Sequence, residues 1–192
     1  MIAVIGSVAL GGTGSEGTAV GLTASIAVEA ARSGSRVELV GKVGDDAAGD
    51  TVLIALNRLG VGHVAILRDA SHPTPANRDE PSAAIDLAPG PETEAPTTTD
   101  IGSSGAPALD AADVGLALRY LPELAVLVAV HQPEDVLREA AAASRWAETS
   151  LIVVVAPNEI APVFLPDGAL VVAAEASVES APGASIGRYA AA

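Results

Sequence analysis

The glycines of Gly12-x-Gly14-x-x-Gly17 are followed, about twenty residues on, by Glu38. A dinucleotide can be held by such a set: the glycines let a pyrophosphate approach a helix N-terminus, and the acid accepts from a ribose hydroxyl. The helix expected here opens late, at Thr23, and a chain with 19 glycines offers the pattern by chance, so a plain glycine-rich loop competes. Gly41-Lys42 has the Gly-Lys pair of a phosphate loop. It is followed by Val43 instead of Ser or Thr, and Arg36 stands where the first glycine belongs. Lys42, the only lysine, therefore reads as a solvated loop cation, with an anion contact as the alternative. His63, His72 and His131 lie far apart without H-x-x-x-H spacing. The first two read as structural or solvent-facing. His131 closes the apolar run LAVLVAV, and parallel sheets bind ligands at the carboxyl ends of their strands. No G-x-S-x-G elbow is present. The acids are scattered as surface charge.

The elements that must position these residues belong to a chain of 192 residues, 49% apolar and 2% aromatic. That supports one domain with an aliphatic core and argues against disorder. A net charge of −14 repels phosphate backbones and anionic membranes, so nucleic-acid and membrane partners are not expected. With no cysteine, disulfides, thiolate metal sites and cysteine nucleophiles are excluded. Met1–Leu10 lacks the basic flank of a signal peptide and no apolar run is long enough to span a bilayer, so a cytoplasmic protein is expected.

Apolar runs and helical patterns alternate. Ile2–Leu10 reads as one strand covered on both faces. Thr23–Arg32 reads as a helix with Thr23 as N-cap and Gly34 past its end. Arg36–Val40 is a strand, Asp46 caps a helix stopped by Gly60, and Val61–Leu67 is a third strand. Residues 70–110 are rich in proline and read as loop or flap, with a short strand at Ser82–Leu87. The alternation resumes with a helix at Asp110–Tyr120, a strand at Leu124–Val130, a helix from Pro133 to Trp146, and strands at Leu151–Ala156 and Ala169–Ala173. This order signals a parallel α/β sheet with helices on its faces. The small, polar residues after 178 read as a weakly ordered tail.

The stretch VELVGKVGDDAAGDTVLIALNRLGV, residues 37–61, resembles the second strand, G-x-V-G-x-D loop and second helix of the ribokinase-like sugar kinases, the PfkB family. IAVIGSVAL, ASIAVEAARSGSRV, SAAIDL and the segment from Ala108 to Arg145 are similar to further family elements in the same order. LIVVVAP and ALVVAAEAS resemble the next two strands. The resemblance implies a three-layer α/β sandwich over residues 1–178 with a mostly parallel sheet, lacking the C-terminal third of such a domain. The activity it implies is phosphoryl transfer from ATP to a sugar hydroxyl.

The departures from that family bear on function. The G-A-G-D motif, whose aspartate is the family's catalytic base and whose N–H groups stabilise the developing charge, occurs nowhere in the sequence. The G-G-x-G-x-N signature falls on residues 20–25, where Gly21 is kept and Ser25 replaces the asparagine. The acid expected after the first strand falls near Gly11, and the strand pair that should precede the signature reads as almost deleted. His131 stands where the family has a substrate-contacting acid. The magnesium motif P-N-x-x-E falls on residues 173–177, with Ala174 and Ser177 in place of asparagine and acid. The implied reading is a catalytically silent homologue that binds a sugar, polyol, nucleoside or protein, with substrate contacts at Gly11, Gly21, Ser25 and His131. It needs no cofactor. The alternative is an active kinase using Mg-ATP, with its nucleotide-side residues on another chain. A second alternative is the dinucleotide binder. Apolar surface and a sheet edge left by the shorter sequence imply a homodimer or a partner protein.

Overall fold

The computed structural model describes residues 1–12, 17–77, 105–121, 123–175 and 181–192. Ile2–Ile5 (β1) is buried at every position because it pairs on both sides, with Val37–Gly44 (β4) and with Val126–Val130 (β7). Ile66–Asp69 (β5) extends the sheet beyond β4, and Ser150–Val155 (β8) and Leu170–Ala173 (β9) extend it beyond β7. The order is β5-β4-β1-β7-β8-β9, and every pairing is parallel.

Side chains alternate across this sheet, so each strand feeds two cores. Ile2, Val4, Val128 and Ile152 pack with Leu22–Arg32 (α1), Ala47–Arg58 (α2) and Ala181–Ala191 (α5). Ala3, Ile5, Leu127 and Val153 pack with Ala111–Arg119 (α3) and Glu134–Ala147 (α4). The result is the three-layer sandwich expected from the alternation. Each fully buried Val, Leu or Ile in it stabilises the fold by about 1.5–3 kcal/mol. None of the helices among the described residues is long and apolar enough to cross a membrane.

The helix ends follow short-range rules. Asp46 caps α2, and Asp110 with Asp113 forms a capping box on α3. Gly34 and Gly60 take φ of +90° and +76° just past α1 and α2, as expected of glycines that end helices. Thr23 is not the N-cap of α1. Gly21 is, at φ +106°, and Thr23 lies inside the first turn, buried. Its side chain packs on Gly6, where a Cβ would overlap it.

The single first strand expected over Ile2–Leu10 is two. β1 stops at Ile5, and the chain then leaves the main sheet for a small one built from Ala9–Gly11 (β2), Thr18–Val20 (β3) and Ala76–Asn77 (β6), ordered β3-β2-β6. The strand pair read as almost deleted is therefore present as β2 and β3, antiparallel and three residues each. The strand expected at Ser82–Leu87 lies outside the described residues.

The weakly ordered tail expected after 178 is instead occupied by the 11-residue α5. Small residues hid this helix from pattern reading and also explain its docking. A Cβ on Gly187 would stand 2.6 Å from the Ile26 carbonyl oxygen, and one on Gly183 would stand 2.8 Å from the Ser25 Cβ. The two helix backbones thus lie close, and Arg188 pairs with Glu29 at 3.2 Å. Gly187→Leu is expected to lift α5 from α1. Limited proteolysis checks this: trypsin should cut the variant at Arg188 several-fold faster than the parent chain, with the rest of the fold intact.

Candidate functional site at the carboxyl edge

The carboxyl ends of β4 and β5 are held by one carboxylate. Asp46 Oδ1 accepts from the Gly49 N–H at 2.7 Å and from the Thr74 hydroxyl at 2.7 Å, and Oδ2 accepts from the Thr74 N–H at 2.8 Å. The Thr74 hydroxyl oxygen in turn accepts from the Gly44 N–H at 2.9 Å. Arg68 donates to the Gly44 carbonyl at 3.1 Å and pairs with Asp50. Gly44 and Gly49 leave no room for side chains: a Cβ on Gly44 would stand 2.5 Å from the Thr74 nitrogen, and one on Gly49 would overlap the Gly44 carbonyl. Burial pushes the Asp46 carboxyl up. The hydrogen bonds from Gly49 and Thr74, with the Arg68 charge, outweigh it and hold the carboxyl below the ordinary aspartate range.

This cluster places the small sheet. Just after Thr74, the Pro75 carbonyl accepts from the Leu10 N–H at 2.8 Å, and β6 pairs with β2. Alongside, Asp69 accepts from the Ser71 N–H at 2.7 Å and pairs with His72 at 2.9 Å. The His72 hydrogen bond, then that from Ser71, lowers the Asp69 carboxyl. Sequence reading identified Asp46 only as a cap. Thr74 was missed because it sits between two prolines in a stretch without periodicity. The signal was the Gly-x-Asp of Gly44–Asp46, which implies a third partner for a carboxylate with two oxygens.

The four residues expected to contact substrate are not gathered in one cavity. Gly21 faces the Ser7 carbonyl oxygen at 4.0 Å from its would-be Cβ, just past the end of β1. Gly11 lies in β2, where a Cβ would overlap Val20. Ser25 lines a cavity of about 480 Å³ with Thr18, Glu29, Arg32 and Ala184 of α5. His131 follows β7 at φ +48°, a left-handed conformation that costs a non-glycine residue about 1–3 kcal/mol. Its ring bridges across β8 to the end of β9: Nε2 lies 2.8 Å from the Ala174 carbonyl oxygen. A carbonyl only accepts, so Nε2 is the donor in this bond, and Nδ1 is the ring nitrogen on the side away from it.

The other candidates fall elsewhere. Glu38 lies at the amino end of β4, 8% exposed, with its carboxylate packed on Gly62 and Oε2 without a hydrogen-bond partner. Gly11 and Gly12 lie in and beside the β2–β3 hairpin, not at a strand-to-helix turn, and Gly14 is outside the described residues. The dinucleotide arrangement therefore fails: the acid is at the sheet end opposite to the one where ligands bind. Lys42 is not in a loop. It is in β4, and its ammonium pairs with Asp113 at 2.5 Å, tying the sheet to the first turn of α3. Among the described residues no group of three or more His, Asp or Glu could hold a metal ion. Where the magnesium motif would fall, Ala174 has no ligating side chain and its carbonyl accepts from His131, and Ser177 lies outside the described residues.

Residues 12–83 match the family described as pfkB family carbohydrate kinase. No curated protein matches the chain. Among solved structures, a fructokinase from Xylella fastidiosa is 17% identical with a TM-score of 0.57, over 87% of this chain and 53% of that one. An aminoimidazole riboside kinase from Salmonella enterica is 20% identical with a TM-score of 0.54, over 83% and 50%. A PfkB protein from Polaromonas is 18% identical with a TM-score of 0.53, over 86% and 57%. The fold is thus ribokinase-like, and the chain spans about half the length of these structures.

Because the Asp46 carboxyl is lower in the folded chain than in the unfolded one, its stabilisation is full above about pH 4 and is lost as pH falls through the folded value. Asp46→Ala removes a cap and strands the Thr74 donors, at a cost of about 2 kcal/mol at neutral pH. Urea unfolding between pH 2 and pH 7 should show that loss, together with a shallower decline below about pH 4 than in the parent chain.

Proposed function

We propose that this homologue of the pfkB family carbohydrate kinases, of ribokinase-like fold, is a binding module for a small hydroxylated ligand and is catalytically silent as it stands. The ligand class is a sugar, polyol or nucleoside, and the site is the carboxyl edge at Gly21, beside Ser7 just past β1, and His131, just past the adjacent β7; Gly11 and Ser25 lie apart from it. One observation carries the reading: the scaffold around Asp46 is complete, while the residues that would handle phosphate and metal are replaced. Ala174 offers no side-chain oxygen, and its carbonyl is bonded to His131.

What remains suits hydroxyl recognition. His131 Nδ1 accepts from a ligand hydroxyl while Ala174 fixes the ring. The Gly21 backbone, at positive φ and without a side chain, lets a ligand approach the first turn of α1. A second reading, a working kinase completed by another chain, is supported by the outer strand β9, whose Leu170 is 38% exposed. In that case Mg-ATP binds only in the presence of the second chain.

A thermal-shift panel of ribose, fructose and adenosine, each with and without Mg-ATP, tests the proposal. A ligand at a hundredfold excess over its Kd stabilises the folded chain by about 2.7 kcal/mol. The expected result is a shift with one hydroxylated ligand, none with Mg-ATP alone, and loss of the shift in His131→Ala. A shift with Mg-ATP accompanied by phosphorylation, or silence across the panel, contradicts it.

A further inference from the structure

A groove of about 680 Å³ runs between α3 and α4. Leu124, just before β7, and Ala147, just before β8, line it, so it lies at the amino ends of these strands. His131 and the carboxyl edge are at the opposite end of the sheet. Sites for small molecules occupy roughly 300–1,000 Å³, and the groove falls within that range. Leu118, Leu121 and Leu124 give it an apolar lining that packs on the core beneath α3 and α4. Trp146, the only tryptophan of the chain, also lines it and is 89% exposed.

Three charged side chains line the groove: Arg119, Glu123 and Glu139. Arg119 turns back along α3, where its Nε donates to the Gly115 carbonyl at 3.1 Å. Glu139 reaches from α4 into the space that a side chain on Gly115 would fill, with Oε1 2.8 Å from where that Cβ would stand. It is half-buried there, and among the described residues its carboxylate has no hydrogen-bond or ion-pair partner. Burying part of a carboxylate without a partner costs free energy that a bound cation returns. The two acids outnumber the one cation, so an anion is repelled from the groove. A bare metal ion lacks ligands, because among the described residues no group of three or more His, Asp or Glu could hold one. A neutral apolar molecule would dehydrate Glu139 further and leave it unpaired. An organic ammonium ion meets each condition. Its apolar body covers the leucines, its charge pairs with Glu139, and the indole face of Trp146 attracts the same charge. We propose that the groove is a binding site for a small organic ammonium ion, with Glu139 as the counter-ion. The net charge of −14 favours its approach. This site is separate from the carboxyl edge and stands whether or not that edge binds a hydroxylated ligand.

Calorimetric titration with benzyltrimethylammonium and with phenethylammonium tests it, with benzyl alcohol and benzoate as neutral and anionic controls. At least one of the two ammonium ions is expected to bind with a Kd below about 1 mM, and each control about tenfold more weakly or not at all. Binding should be accompanied by a saturable change in tryptophan emission, which reports Trp146 alone. Glu139→Gln should weaken binding by about tenfold, and Trp146→Ala by about threefold, each with unchanged far-UV circular dichroism and unchanged Tm in the absence of ligand. Silence of both ammonium ions overturns the proposal. So does binding of benzyl alcohol as tight as that of the ammonium ions, which would make the groove merely apolar. Binding that survives Glu139→Gln, or that leaves the emission unchanged, overturns it by placing the cation elsewhere.

Discussion

The Asp46 carboxylate is the point from which the carboxyl edge is built. It joins three pieces of chain that no regular ladder connects: the end of β4, the first turn of α2, and the segment that leads into β6. All three of its bonds are charge-assisted, the stronger kind. They leave so little space that Gly44 and Gly49 are the only residues the backbone admits there. Through Thr74 and Pro75 the same cluster fixes the strand on which β2 pairs, and so the small sheet beside the main one.

The main sheet supplies rigidity and the edge supplies chemistry. β1 is buried at every position and β7 at all but its first, and the two pair from Ile2 with Val126 to Ile5 with Ala129. Loops leaving their carboxyl ends therefore start from fixed positions. His131 is one such start. Its left-handed backbone is held by the bond of its own N–H to Val154 and of its ring to Ala174, so strain at one residue is offset by two contacts with neighbouring strands.

Much of the architecture was legible in the sequence because it rests on local rules. Strand–helix alternation gave the parallel sheet, Asp46 and Asp110 marked helix starts, and Gly34 and Gly60 marked helix ends. What was illegible depends on contacts distant in sequence. The Thr23 side chain fills the space where a Cβ on Gly6, the residue after β1, would stand. Lys42 looked like a loop residue because its partner, Asp113, lies 71 positions on. Helix α5 is built of small residues whose pattern is weak until α1 is laid against Gly183 and Gly187. The site was legible residue by residue, not as an arrangement: nothing in the spacing shows that Ser25 shares a cavity with α5, or that the His131 ring is held by Ala174.

Amide hydrogen exchange in Asp46→Ala tests the central claim, that this carboxylate holds the small sheet in place. The account predicts loss of protection at Leu10, whose N–H is bonded to Pro75, and at the β2–β6 pairing, while β1 and β7 keep theirs. Equal loss across both sheets, or unchanged protection at Leu10, would contradict it.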